Sequence, residues 1–248
     1  MSSLVGNPIP LVTTKAGFPV PLPVNIVRVV AKAIKHAWKE IEANPSAHLL
    51  PKGPAAPEED VYTDAICNML DQMLASDEPI IDGFTSDYFH TVCRGEGLPN
   101  FSGVALNKQP DLIIRLANSP LVDTRRLVGV FIESKVVTMS KPITKYTTDG
   151  LSRFVVGDYG WAMQAGIMLA YQKNKHRAAS CLEAQLALET GLLSVPGNGA
   201  HLESRPEHAP ITGFSSHDRT WLYKNGDKPG AIRVWHIWDL HTPEVTTP

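Results

Sequence analysis

Two carboxylates and an ammonium stand at the ends of two apolar runs. Pro110 and Asp111 open the first, Leu-Ile-Ile-Arg-Leu over 112–116, and the second, over 127–132, closes on Glu133-Ser134-Lys135. Charges at the ends of buried strands are costly to desolvate unless they pair with each other or bind something. Side chains alternate along a strand, so Glu133 and Lys135 share one face and Ser134 takes the other. Residues 118–126, with Asn118, Ser119, Pro120 and Asp123, read as the connection between the runs. Antiparallel pairing of the two strands would set Asp111 beside Glu133 and Lys135. Oxygen donors of this kind suit Mg²⁺ or Mn²⁺, completed by waters and phosphate oxygens. A metal there would polarise a phosphoryl group and lower the pKa of a bound water. Lys135 would orient or deprotonate that water and offset charge developing on the phosphate.

Pro110-Asp111 followed by Glu133-Ser134-Lys135 resembles the PD-(D/E)xK motif of the restriction-endonuclease-like nucleases. The resemblance covers mainly 57–171. It implies an α/β fold, with a restriction-endonuclease-like core, a mixed central sheet flanked by helices and, in this chain, an N-terminal helical extension. It also implies a metal-dependent DNA endonuclease in which water attacks phosphorus directly, leaving 5′-phosphate and 3′-hydroxyl ends. Asp111 and Glu133 would bind Mg²⁺ or Mn²⁺, the backbone carbonyl of Ser134 would add a ligand, and Lys135 would handle the water. By analogy, small nucleases of this look serve bacterial defence against phage, beside an ATPase, helicase or sensor subunit, and cut two strands as homodimers. Two alternatives stand beside this reading. One is a catalytically silent protein of the same fold that binds nucleic acid or a partner. The other is an unrelated α/β enzyme whose acidic residues pair with Arg115, Arg125 or Arg126.

The flanks extend the resemblance. Pro57-Glu58-Glu59-Asp60 precedes an apolar stripe of Val61, Ala65, Ile66, Met69, Leu70, Met73 and Leu74, a spacing that predicts a helix with an acidic start. In many members of the superfamily a Glu on this helix reaches the metal; Glu59 matches best and Glu58 next, while both also simply favour the helix dipole. After the Glu-Ser-Lys strand, Arg153-Phe154, Gly157-Asp158-Tyr159-Gly160 and Met168-Leu169-Ala170-Tyr171 are similar to a segment of small bacterial nucleases in which a helix packs behind the active strands. Trp161, Met168, Leu169 and Tyr171 read as core, and Arg153 and Gln164 as candidates to touch phosphate or support the metal's ligands. Further on, Ser215-Ser216-His217-Asp218-Arg219 precedes an apolar run over 231–240 that predicts a closing strand. His217 and Arg219 are candidate phosphate ligands, Arg offering a planar fork matched to the oxygens; a solvated turn is the other reading.

Composition sets the frame for these motifs. The 248 residues, 43% hydrophobic and 19% charged, suffice for one sizeable core. A net charge of −2 argues against a large non-specific DNA clamp, though not against a few cations focused on one cleft. Cys67, Cys93 and Cys181 are too widely spaced for a zinc ribbon or a disulfide framework, and His236 and His241 read as structural. No phosphate-binding glycine loop is present, which excludes a stand-alone ATPase. The start of the chain lacks the charge and apolar pattern of a signal peptide, and no stretch is long enough to span a bilayer, so a cytoplasmic protein is expected.

The expected order along the chain is an extended leader with Pro8, Pro10, Pro19, Pro21 and Pro23, then a helix over about 24–43 with Ile26, Val27, Val30, Ala33, Ile34, Ala37, Trp38 and Ile41 on its apolar face. This helix either pads the core or binds a partner. Pro45, Pro51, Pro54 and Pro57 mark a linker, dividing an N-terminal part, 1–56, from the nuclease-like part, 57–248, within a single domain overall. A further helix is predicted over 176–192 with Leu182, Leu186 and Leu188, stopped near Gly191, and a loop over 195–214.

Overall fold

The computed structural model describes residues 18–49, 56–117, 126–139, 143–173, 178–189, 200–223 and 225–242. The fold is α/β. Helices α1 (Val24–Ala43), α2 (Pro45–His48) and α3 (Glu58–Leu74) come first, followed by strands β1 (Phe89–Arg94), β2 (Leu112–Leu116) and β3 (Gly129–Thr138). Short helices α4 (Thr144–Tyr146) and α5 (Ser152–Val155), joined by a π-helical turn, lead to β4 (Ala165–Lys173). Helix α6 (Ala179–Leu188) and strands β5 (Gly213–His217) and β6 (Ile232–His241) complete the described chain.

The strands form one mixed sheet in the order β1-β2-β3-β4-β6-β5. The pairs β1/β2, β2/β3 and β5/β6 are antiparallel, whereas β3/β4 and β4/β6 are parallel. A parallel pair needs a crossover, and the helical segment between β3 and β4 supplies it.

Alternate residues of the central strands feed two cores. Leu112, Ile114, Val130, Ile132, Ile167, Leu169 and Tyr171 face α1 and α3, while Ile113, Phe131, Val137, Met168 and Ala170 face the α4–α5 segment and α6. Helix α1 has the expected bounds, and Val27, Val30, Ile34, Ala37, Trp38 and Ile41 are its buried stripe. It pads the core against α3 and β6, and Trp38 donates its indole N–H to the His241 carbonyl at 2.7 Å. Helix α3 begins directly after Pro57 with three acidic residues in its first turn, a composition that suits the positive end of the helix dipole. Pro45 opens α2.

Several expectations are overturned. The Met168–Tyr171 segment, expected as a helix behind the active strands, lies in β4, which is buried on both faces between β3 and β6. A parallel strand covered on both sides reads as an unbroken apolar run, and hydrophobicity alone does not separate it from a buried helix. The helix behind β3 is instead the α4–α5 segment, where Phe154 sits against Gly166 so closely that a Cβ on that glycine would come 2.5 Å from the ring. Of Ser215–Arg219, read as a phosphate site or a solvated turn, Ser215–His217 form the end of β5 with Ser215 and His217 buried and Ser216 exposed, and β6, expected as a closing strand, lies inside the sheet. Helix α6 is shorter than predicted, with Leu182 and Leu186 buried and Leu188 exposed. Pro8, Pro10, Pro51, Pro54, Gly191 and the connection over 118–125 lie outside the described residues. Among the described residues no helix is long and apolar enough to cross a membrane.

Candidate active site beyond the β2–β3 pair

The site forms where β3 outruns its neighbour. Leu112 pairs with Ile132, so Asp111 stands one step further on, beside Glu133, and the β2 ladder ends there while β3 runs on to Thr138. Backbone N–H groups at such an edge need acceptors. Ser134 N–H donates to Asp111 Oδ2 at 2.7 Å, and Val136 N–H donates to Glu59 Oε2 at 3.1 Å. Two carboxylates thus continue the ladder that β2 leaves unfinished.

Ser134 points to the α3 face, as alternation requires. Its hydroxyl lies 2.7 Å from Asp111 Oδ2 and 2.9 Å from Thr63 Oγ1, which lies 3.1 Å from the Tyr171 hydroxyl. The Ser134 hydroxyl donates to Asp111, which leaves its oxygen to accept from Thr63 and the Thr63 oxygen to accept from Tyr171.

Glu133 and Lys135 share the opposite face. Glu133 is 0% exposed; its Oε1 accepts from Lys135 Nζ at 2.9 Å and from Arg153 Nη1 at 3.1 Å, and its Oε2 accepts from the Tyr159 hydroxyl. Burial, and then the charge of Asp111, push the Glu133 pKa up to about 7 against the opposing pull of Lys135, Tyr159 and Arg153. Burial favours the neutral amine of Lys135, but Glu133, Glu59 and Asp111 outweigh it and hold the group above its ordinary pKa, as an ammonium.

The Lys135 ammonium is held by three oxygens: Glu59 Oε1 at 2.8 Å, Glu133 Oε1 at 2.9 Å and the Ser134 carbonyl at 2.7 Å. Two carboxylates and a carbonyl are hard donors of the kind that Mg²⁺ and Mn²⁺ take, and here they already surround a positive charge. The donor set therefore fits a divalent cation in chemistry. Among the described residues no three His, Cys, Asp or Glu side chains are gathered into a ready-made metal site. A cavity of about 450 Å³ opens beside Asp111, lined also by Asp60, Asp64, Arg94, Gly95, Gln109 and Pro110. Arg94 bonds Asp60 at 2.7 Å and Asp64 at 3.0 Å along its wall.

Of the residues singled out by sequence, the fold brings together Glu59, Asp111, Glu133, Ser134, Lys135 and Arg153. It does not bring Gln164, His217 or Arg219 to them. Gln164 is exposed just before β4, four residues back from Met168, the neighbour of Glu133, and it lines a separate cavity with Ser216 and Arg233. His217 is buried at the end of β5, its Nε2 2.7 Å from Ser215 Oγ. Arg219 spends its guanidinium on backbone carbonyls, those of Gly230 at 3.0 Å, Trp161 at 3.2 Å, Met163 at 3.1 Å and Pro229 at 2.8 Å. Burial pushes its pKa down to about 10, and the fork predicted to hold phosphate instead ties loops to the core. Glu58, the second choice on α3, faces outward and pairs with Lys173. Arg115 and Arg126 both bond Glu96, and Arg125 lies outside the described residues.

Sequence reasoning assigned no role to Tyr159 or Thr63. Tyr159 sits in a turn whose glycines, Gly157 and Gly160, have φ of 77° and 63°, the left-handed region that glycine enters without strain. Thr63 lies four residues after Glu59, on the same side of α3, a spacing that was open to sequence. Comparison of the chain with protein-family models, curated proteins and solved structures found no match.

Proposed function

We propose that this protein is a metal-dependent DNA nuclease with a restriction-endonuclease-like core. The observation that carries the reading is the Lys135 ammonium set among Glu133, Glu59 and the Ser134 carbonyl, with Asp111 on the adjoining strand end. The antiparallel β1-β2-β3 run followed by a helical crossover into a parallel β4 agrees with it.

In this reading Asp111 and Glu133 hold Mg²⁺ or Mn²⁺, with the Ser134 carbonyl and Glu59 as further donors. The metal, when bound, supplies Lewis acidity toward the phosphoryl oxygen and a more acidic water. Lys135 orients the attacking water and offsets charge on the phosphate. Arg153 and Tyr159 keep the buried Glu133 carboxylate in place, and Thr63 and Ser134 do the same for Asp111. The cavity bounded by Arg94, Gln109 and Asp111 is the approach for the strand to be cut. A role in defence against phage, beside an ATP-using or sensor subunit, and action as a homodimer rest on analogy with nucleases of similar motif.

The test is incubation of purified protein with plasmid and linear DNA in Mg²⁺, Mn²⁺ or EDTA, beside Lys135→Ala. Metal-dependent nicking that the variant lacks supports the nuclease; cleavage by the variant at the parental rate sinks the assignment. One observation favours a second reading, a silent protein of the same fold: Asp111 and Glu59 already serve the β3 backbone. In that case DNA is bound equally with metal or EDTA, and never cut.

A further inference from the structure

We infer that the Lys135 ammonium is an internal cation that closes the donor set, that a divalent metal must displace it, and that a phosphate group receives it when it leaves. Metal and phosphate then bind cooperatively, each poorly without the other. This rests on the reading of Asp111, Glu133 and Lys135 proposed above, and adds to it the order in which the site fills.

Three observations support the displacement. First, the ammonium bonds Glu59 Oε1, Glu133 Oε1 and the Ser134 carbonyl at 2.8, 2.9 and 2.7 Å, so a metal ion cannot take these three oxygens while the ammonium remains. Second, the Lys135 side chain is only 13% exposed, so an ammonium leaving these acceptors lacks bulk water to solvate it and needs another anion. Third, the second cation on Glu133 Oε1, Arg153, is 40% exposed and contributed from a separate element, α5, so it can yield toward solvent. The lysine stem is flexible, and of the three acceptors that its charged end leaves only the Ser134 carbonyl belongs to the β3 backbone.

The consequence is a linkage between two ligands. A ligand that must first break an internal contact binds with an affinity reduced by the fraction of molecules in which that contact is open. A phosphate that stabilises the displaced ammonium raises that fraction, and the metal does the same for the phosphate.

The test is calorimetric titration of Mn²⁺ into the wild type and into Lys135→Met, which keeps the apolar stem and removes the charge, at one pH and ionic strength. Each is repeated with saturating thymidine 5′-phosphate. The inference expects Lys135→Met to bind Mn²⁺ more tightly by roughly tenfold, equivalent to about 1.4 kcal/mol, and thymidine 5′-phosphate to tighten Mn²⁺ binding by a larger factor in the wild type than in the variant. Equal Mn²⁺ affinity in the two proteins overturns the inference and leaves the metal-site reading standing. No Mn²⁺ binding by either protein, with or without thymidine 5′-phosphate, overturns the two together. A measurement on the wild type alone covers a variant that does not fold: an ammonium held by three acceptors gives a slowly exchanging Lys ¹H–¹⁵N signal. Mg²⁺ binding that leaves this signal intact overturns the displacement, and its loss on binding supports it.

Discussion

Asp111 stands opposite the backbone of Ser134 and takes both its N–H and its hydroxyl on one oxygen, Oδ2, each at 2.7 Å. The same carboxylate therefore does two jobs, one for the edge of β3 and one proposed for a metal.

Substitution separates those jobs. Asp111→Ala leaves the Ser134 N–H without its acceptor at a part-buried strand edge, and the expected loss is about 1–3 kcal/mol of stability together with loss of metal-dependent cleavage. Asp111→Asn keeps a carbonyl acceptor for that N–H, so it should lose cleavage while remaining within about 1 kcal/mol of the wild type. Urea denaturation of the two variants, run beside the DNA assay, checks the pair; equal destabilisation by Asn and Ala would show that the charge, rather than the acceptor, holds the edge.

Tyr159 donates to Glu133 Oε2, and Phe154 packs edge-on against its ring. Tyr159→Phe keeps the ring and deletes the donor. The expected effect is a loss of roughly 10- to 100-fold in metal affinity or cleavage rate, the usual consequence of losing a partner behind a metal ligand, while the fold survives. Unchanged metal affinity and rate in this variant would assign Tyr159 to packing alone.

Arg219 is expected to matter for stability and not for chemistry. Its guanidinium serves four carbonyls, so Arg219→Ala should cost at least about 2 kcal/mol through buried acceptors left without donors. Cleavage per folded molecule should be unchanged. A variant as stable as the wild type but weak in DNA binding would restore the phosphate role that the sequence suggested.

His236 provides the pH test. It is fully buried, with Nδ1 3.0 Å from the Tyr146 hydroxyl and Nε2 2.8 Å from Ser215 Oγ, and burial, then the charge of His217, push its pKa down to about 3. The unfolded chain takes up a proton at the ordinary imidazole value and the folded protein does not. Its contribution is therefore complete above about pH 6.5 and is lost as the pH falls toward about 3, at up to roughly 1.4 kcal/mol per pH unit. Urea midpoints measured between about pH 7 and pH 5 should fall less in His236→Gln than in the wild type; parallel falls would mean that His236 does not carry the acid sensitivity.

Much of this architecture was written locally. Helix α1 was legible to its ends because its apolar residues recur at helical period and Pro23 stands directly before it. The adjacency of Asp111 to Glu133 followed from two strands and the alternation of side chains, which need only short-range geometry. Strand β4 was not legible, because a segment buried on both faces carries no periodic signal and its pairing with β3 and β6 spans distant parts of the chain. The same holds for the side chains. Ser215–Arg219 had the residue types of a phosphate site, but β5 pairing and the carbonyls of Trp161, Met163, Pro229 and Gly230 decide where those donors go. The chain by itself determined two apolar strands with Asp111, Glu133 and Lys135 at their ends, and, given antiparallel pairing, that Asp111 falls beside Glu133. Only the tertiary structure decided that Glu59 and Tyr159 complete the cluster and that His217 and Arg219 do not, because a polar side chain bonds whatever partner the folded chain brings within its reach.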